Sequence, residues 1–314
     1  MVSKEFETLL NIYEKVGGNK DVFKQRNVAN LLIQENRVLN SNNAEGVIME
    51  SRQTRNGVIA NLLVKQKVKV KNPVHLCFGV LPKEGRQEIM MNISVEDGAE
   101  VEVVAHCLFP NAVKVIHKMD ADIKIGKNAK FKYQETHYHG NYGGIRVIPR
   151  ARVSVGKNSL YENIFSLIIG RVGFLDFDYE VNCDEKSVVD LAMKVYGKED
   201  DSIKVRESVN LNGKESKSLV KTRVVLKDKA KAEVIGETYG NAPYAHGHVD
   251  CTEILIGRGA VAKAIPIVAV KDDRAKVTHE AAIGSIDKRQ LETLMARGLN
   301  EEEAINVIVK GILK

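Results

Sequence analysis

Tryptophan is absent, and the 314 residues hold only eight phenylalanines and nine tyrosines. Surfaces that stack nucleic-acid bases or sugar rings are built from such side chains, so their scarcity argues against both kinds of ligand. Cysteine is almost as rare. Cys77, Cys107, Cys183 and Cys251 are scattered singly, with no CxxC pair and no secretory signal, which excludes a disulfide framework and points to a reducing cytoplasm. No apolar run approaches the roughly 18 residues of a membrane-spanning helix, so no membrane partner is expected. Charge of one sign is also missing as a block: 47 basic and 41 acidic residues are interspersed and leave a net +6 without a polybasic tail. Nucleic acid is therefore not an expected partner. Prolines number six against 24 glycines, which suits many tight turns, and a chain of this length buries a core without staples.

Helical periodicity is confined to the two ends. Ser3 can cap a helix whose apolar face is Phe6, Leu9, Leu10, Tyr13 and Val16, stopped by Gly17-Gly18-Asn19. Asp21 can start a second, through Val22, Val28, Ala29, Leu31 and Leu32 to about Gln34, before the polar cluster Asn40–Asn43. At the other end Ser285 or Asp287 can cap a helix through Leu291, Leu294 and Met295, closed by Gly298 in the left-handed conformation. Asn300 starts the last, with Glu303 at the capping-box position and Ile305, Ile308, Val309, Ile312 and Leu313 as its apolar face.

Between them runs a repeat. ISVEDGAEVEV from Ile93, IKIGKNAKFKY from Ile123 and VSVGKNSLYEN from Val153 begin 30 residues apart, as do VVLKDKAKAEV from Val224 and ILIGRGAVAKA from Ile254. A weaker copy, VAVKDDRAKVT, starts only 14 residues further, at Val268. Each unit is an alternating strand, a polar turn, a small residue (Ala99, Ala129, Ser159, Ala230, Ala260) and another alternating strand. A fixed period with a small residue at the corner means stacked coils, and the half-step means two strands per coil: a parallel β-helix. The chain divides into a helical segment, 1–40, a β-helix core, 41–284, and a helical segment, 285–314.

Chemistry concentrates late in the chain. Cys251 and Glu280 lie 29 positions apart, and His279 precedes Glu280. A thiol, an imidazole and a carboxylate gathered on a stiff strand scaffold can hold iron or zinc, although a lone cysteine is by default a small buried hydrophobe. Adjacent strand residues point to opposite faces, so His279 and Glu280 reach one point only through a bulge or from two subunits. His246 and His248 share a face if extended, yet Gly240, Pro243 and Gly247 make that segment read as loop. They are accessory ligand candidates. His137 and His139 have the same spacing and a weaker claim; His75 and Cys77 read as a strand with satisfied interior side chains, and Cys183 carries no role.

The run GRGAVAKAIPIVAVKDDRAKVTHEAAIGSIDKRQLETLMARGLNEEEA resembles the C-terminal hallmark of the SufB/SufD family of iron–sulfur cluster assembly scaffolds. The matching residues are His279-Glu280-Ala281, Gly284, Ile286-Asp287, Gln290-Leu291, Arg297-Gly298-Leu299 and Glu303-Ala304. The resemblance implies a right-handed parallel β-helix with α-helical N- and C-terminal segments, a mainly β protein. It implies a non-enzymatic scaffold that binds a transient cluster through Cys251, His279 and Glu280, with Cys107 as a candidate sulfur relay. Implied partners are a SufC-like ABC-type ATPase, docking on Leu291, Leu294, Ile305, Ile308 and Ile312, a second copy or a paralogue, and apo-protein cluster acceptors. The long N-terminal region of larger SufB members is absent from this sequence, and participation of a flavin is left open. Rival readings are a cluster-free structural subunit of the same complex and a β-helix polysaccharide enzyme. The latter needs clustered carboxylates and stacking aromatics that this chain lacks. A hexapeptide acyltransferase would show a six-residue period, which is also missing.

Overall fold

A computed structural model describes residues 4–55 and 57–314. Among the described residues the strands form two sheets, one of ten strands and one of nine; from Val58–Val64 onward successive strands alternate between them and pair parallel with the strands one coil away, whereas Asn30–Gln34 with Arg37–Asn42 and Val47–Gln53 with Val58–Val64 pair antiparallel. The result is a parallel β-solenoid of about eight turns, with short helices at both ends. Two strands per coil are therefore borne out. The motifs from Ile93, Ile123 and Val153 straddle one kind of corner, as between Glu84–Val95 and Glu100–Phe109, which leads into the ten-stranded sheet. Those from Val224 and Ile254 straddle the opposite corner, as between Lys217–Lys227 and Lys231–Gly240. The 14-residue step to Val268 is the distance from one corner to the next.

The first kind of corner needs one residue in the left-handed region, supplied by Gly98 (φ 69°), Asn128 (φ 54°) and Asn158 (φ 57°) in successive coils. Asparagine tolerates that region better than most residues. There the backbone N–H of Gly98 donates to Lys127 O and that of Asn128 to Lys157 O, at 2.8 and 2.9 Å, so each corner is hydrogen-bonded to the next. The small residue that follows is buried in each, as Ala99, Ala129 and Ser159.

Inside the solenoid, in-register pairing stacks side chains into columns. One column of the ten-stranded sheet reads Ala105, Glu135, Phe165, Met193, Thr222, Cys251 and Ala281. Each large apolar member taken from water contributes about 2 kcal/mol, and Phe165 and Met193 are fully buried.

At the N-terminal end the helix Lys4–Lys15 forms as the spacing predicts and buries Phe6, Leu9, Leu10 and Tyr13; its expected cap, Ser3, lies outside the described residues. The second expected helix does not form. A 3₁₀ turn, Lys20–Lys24, is followed by the strand Asn30–Gln34, which pairs parallel with Val74–Gly79 and antiparallel with Arg37–Asn42. The reason is that this apolar run is buried on both faces: Leu31 and Ile33 enter the main core while Leu32 packs under the first helix with Cys77 and Leu108. A run with no polar face has no helical period. Asn40 and Asn42, expected in a turn, are strand residues whose amides donate to the carbonyls of Phe23 and Val28.

At the C-terminal end both sheets finish on strands with one edge unpaired, Val261–Val270 and Lys276–Ser285. The helices Lys288–Ala296 and Glu301–Ile312 then follow. Asp287 is the cap of the first, accepting from Arg289 N and Gln290 N, and Gly298 is left-handed at φ 97°. Asn300 and Glu303 form the expected capping box.

Candidate functional site

Cys251 sits in the middle of the strand His246–Ile256, in phase with the buried Val249 and Glu253, and faces the solenoid interior. Burial pushes its thiol up to about 12, with the carboxylates of Glu253 and Glu207 adding to the effect and a hydrogen bond with Thr222 opposing it. The free thiol is thus protonated at neutral pH, and a metal would have to displace that proton. Gly236 makes room beside it: a Cβ there would lie 2.8 Å from Val249 Cγ1 and 3.6 Å from Cys251 Sγ.

Two carboxylates that sequence reasoning missed stand beside this thiol. Glu207 is buried, accepts a 2.7 Å hydrogen bond from Thr222 Oγ1, and is raised to about 7 by burial. Glu253 is also raised to about 7, chiefly by burial, and neither of its carboxylate oxygens has a hydrogen-bond partner. Their signal was in the alternation. Glu207 falls in phase with Val205 and Val209, and Glu253 with Val249 and Cys251, where an apolar residue would otherwise stand.

His279 and Glu280 lie on the last strand, opposite Val249 and Asp250 respectively, and both are exposed. His279 therefore shares the inward-facing phase with Cys251, whereas Glu280 belongs to the outer phase. Adjacent strands about 4.8 Å apart, with an offset of two residues at about 3.3 Å each, put the Cys251 and His279 Cα atoms roughly 8 Å apart. Directly above Cys251 in its column stands Ala281, so only a methyl separates the thiol from the open end of the solenoid. His246 and His248 are on strand, not loop, and share the outer phase with Asp250 and Glu280. His248 Nδ1 is 2.9 Å from Thr278 Oγ1. The carboxyl of Asp250 is lowered from its ordinary value by Arg223, which grips both of its oxygens.

Cys107 is far from this end. From Glu135, its neighbour, to Cys251 the column runs through four strand spacings of about 4.8 Å, roughly 19 Å, and is filled by Phe165, Met193 and Thr222. Cys107 is fully buried, with Sγ 3.8 Å from His117 Nε2 and 3.6 Å from Glu135 Oε1. His137 and His139, given little weight from sequence, belong to the same buried group: His137 Nε2 is 2.7 Å from Glu135 Oε1 and His137 Nδ1 is 3.2 Å from His139 Nε2. His75, by contrast, meets the Tyr13 hydroxyl at 2.9 Å under the first helix, and Cys183 is a core residue whose thiol burial pushes up to about 12.

Of the apolar residues expected to dock a partner, Ile305 packs on its own solenoid, in a cluster with Tyr196, Val225, Ile256, Val309 and Leu313. Leu291 and Ile312 pack partly against that cluster, and Leu294 and Ile308 are half-buried. Met295 and Val307 are the large apolar side chains left open on these helices. No described helix is long and apolar enough to cross a membrane.

Residues 84–312 match the family model described as SUF system FeS cluster assembly, SufBD core domain. Two similar proteins are both named iron–sulfur cluster assembly SufBD family protein. One, from Methanocaldococcus jannaschii, is 41% identical over 90% of this chain and 89% of its own length. The other, from Pyrococcus horikoshii, is 38% identical over 99% of this chain and 94% of its own. With the solenoid, the C-terminal thiol and the coverage of the match in agreement, the chain belongs to the SufBD family of iron–sulfur cluster assembly proteins.

Proposed function

We propose that this chain is a scaffold on which iron–sulfur clusters are built and from which they are passed to apo-proteins, with the C-terminal coil as the assembly site. The observation that carries this reading is the position of Cys251 one strand below the open end of the solenoid, roofed by Ala281 and in phase with His279. A thiolate anchors iron, and an imidazole or carboxylate completes a site from which the product can leave more readily than from four thiolates. Glu253 and Glu207, beside the thiol, are suited to take its proton when iron arrives.

The scaffold works as a pair of copies. The edges of Val261–Val270 and Lys276–Ser285 are long, unpaired, and flanked by exposed Val261, Ile267, Val268, Val270 and Ile283, a surface that a second copy would cover. A dyad there brings His279 and Glu280 of both copies toward both Cys251 thiols. An ABC-type ATPase docks on the terminal helices through Leu291, Leu294, Ile308, Met295 and Val307, and ATP is hydrolysed by that partner.

The test is anaerobic reconstitution with ferrous iron and sulfide, followed by absorption. The parent should develop a sulfide-to-iron charge-transfer band that Cys251→Ser lacks, with unchanged circular dichroism. A Cys251→Ser variant that binds as much iron and sulfide as the parent overturns the assignment; a parent that never develops the band favours the cluster-free subunit. Mixed dimers of a Cys251→Ser chain with a His279→Ala, Glu280→Ala chain then separate the arrangements. Recovery of about half the signal supports ligands contributed across the dyad, and none despite verified mixed dimers refutes it.

A further inference from the structure

The group around Cys107 has a proton problem. His139 Nδ1 lies 2.8 Å from the carbonyl of Arg171, which can only accept, so Nδ1 carries a hydrogen. In a ring that carries its one hydrogen at Nδ1, Nε2 is a bare acceptor. His137 Nδ1, 3.2 Å away, must then be the donor. In the neutral ring this leaves the lone pair of His137 Nε2 aimed at Glu135 Oε1 from 2.7 Å, an approach that requires a positive centre between them.

Two further observations point the same way. Glu135 Oε2 and His117 Nδ1 are buried without hydrogen-bond partners, unusual for two polar atoms of one cluster. One ligating atom from each of Cys107, Glu135 and His137 also lies within 4.8 Å of the other two, and His117 Nε2 is 3.8 Å from the thiol.

We propose that Cys107, His117, Glu135 and His137 form a resident site for one divalent transition metal of zinc or ferrous-iron type, enclosed within the solenoid and separate from the assembly site at Cys251. The donor set is one sulfur, two nitrogens and one oxygen, which favours such ions over magnesium or calcium. Charge balance favours it too: a thiolate and a carboxylate around a dication sum to zero, the arrangement that costs least in a desolvated interior. On binding, the thiol proton leaves, together with the proton held between Glu135 and His137. The chain from His137 through His139 to the Arg171 carbonyl supplies the outer support typical of a metal-bound imidazole, fixing the Nε2-ligating tautomer. To close a tetrahedral site the 2.7 Å gap between Glu135 and His137 must open to about 3.3 Å for bonds near 2.0 Å, and His117, which touches Cys107 but stands outside the 4.8 Å group of the other three, must swing inward. While the metal is bound, Cys107 is not free to carry sulfur.

Because the site is closed, the metal must be offered as the chain folds. The full chain is expressed in minimal medium supplemented with cobalt(II), purified without oxygen, and treated with a chelator to strip surface metal. We expect one cobalt per chain and a thiolate-to-cobalt charge-transfer band in the near ultraviolet, both retained in Cys251→Ser. Cys107→Ser should lose the band, and Glu135→Gln should retain about tenfold less metal. Cobalt that follows Cys251 instead, a parent chain with under about a tenth of an equivalent, or full retention in Glu135→Gln overturns the proposal. If Cys107→Ser fails to fold, Glu135→Gln decides. Failure of cluster reconstitution at Cys251 would leave these outcomes untouched.

Discussion

Glu207→Gln removes a charge from the interior while keeping an oxygen for Thr222 Oγ1 to donate to. The side chain is buried and its carboxyl is raised from 4.5 to about 7. The raised value fixes the sign. Well below pH 4.5 the group is protonated folded or unfolded and costs nothing; between 4.5 and 7 the folded state alone keeps its proton, so stability falls as pH rises; the fall levels off about one pH unit above 7. At about 1.4 kcal/mol for each pH unit between 4.5 and 7, the full loss is about 3.5 kcal/mol. For a chain of this length that is about 5 °C in melting temperature. Thermal melts by circular dichroism at pH 5, 6, 7 and 8 should therefore show the variant gaining on the parent by about 3 °C between pH 5 and 7, with under about 1 °C more by pH 8. Parallel pH profiles for the two proteins would refute a charged, desolvated Glu207.

Phe165→Ala opens a cavity in the column between Glu135 and Cys251 and should cost about 3–5 kcal/mol, read as a lower midpoint in denaturant titration; a cost under about 1 kcal/mol would mean the column collapses around the loss. Asn300→Ala removes the cap and half of the capping box of the last helix, so it should cost about 1 kcal/mol and raise hydrogen exchange over 301–312 while leaving the solenoid strands protected. Joint Met295→Asp and Val307→Asp changes place charge on the open apolar face of the terminal helices and should weaken capture of the ABC-type ATPase without changing the melt. Undiminished capture would move that surface elsewhere.

Sequence by itself determined the architecture of the coils. Local chemistry repeats at successive corners: alternating apolar residues, a left-handed residue, then a small one, with asparagine at Asn128-Ala129 and Asn158-Ser159 but lysine, glutamate and tyrosine at Lys186-Ser187, Glu215-Ser216 and Tyr244-Ala245. Such a signal is carried by consecutive residues, and so are the capping box at Asn300 and the cap at Asp287. Which corner each repeat occupies was not legible, because both kinds use the same residue types and differ only in the sheet they enter. The strand Asn30–Gln34 was missed because its two burials, one in the core and one under the first helix, come from segments remote in sequence.

Cys251, His279 and Glu280 could be singled out from type and spacing, but their faces followed only from register. Pairing His279 with Val249 puts it in phase with Cys251 and leaves Glu280 outside. The group at Cys107 depended wholly on tertiary structure. His117, Glu135, His137 and His139 meet it across three strands of two sheets, and stacking of coils about 4.8 Å apart turns a 30-residue separation into direct contact.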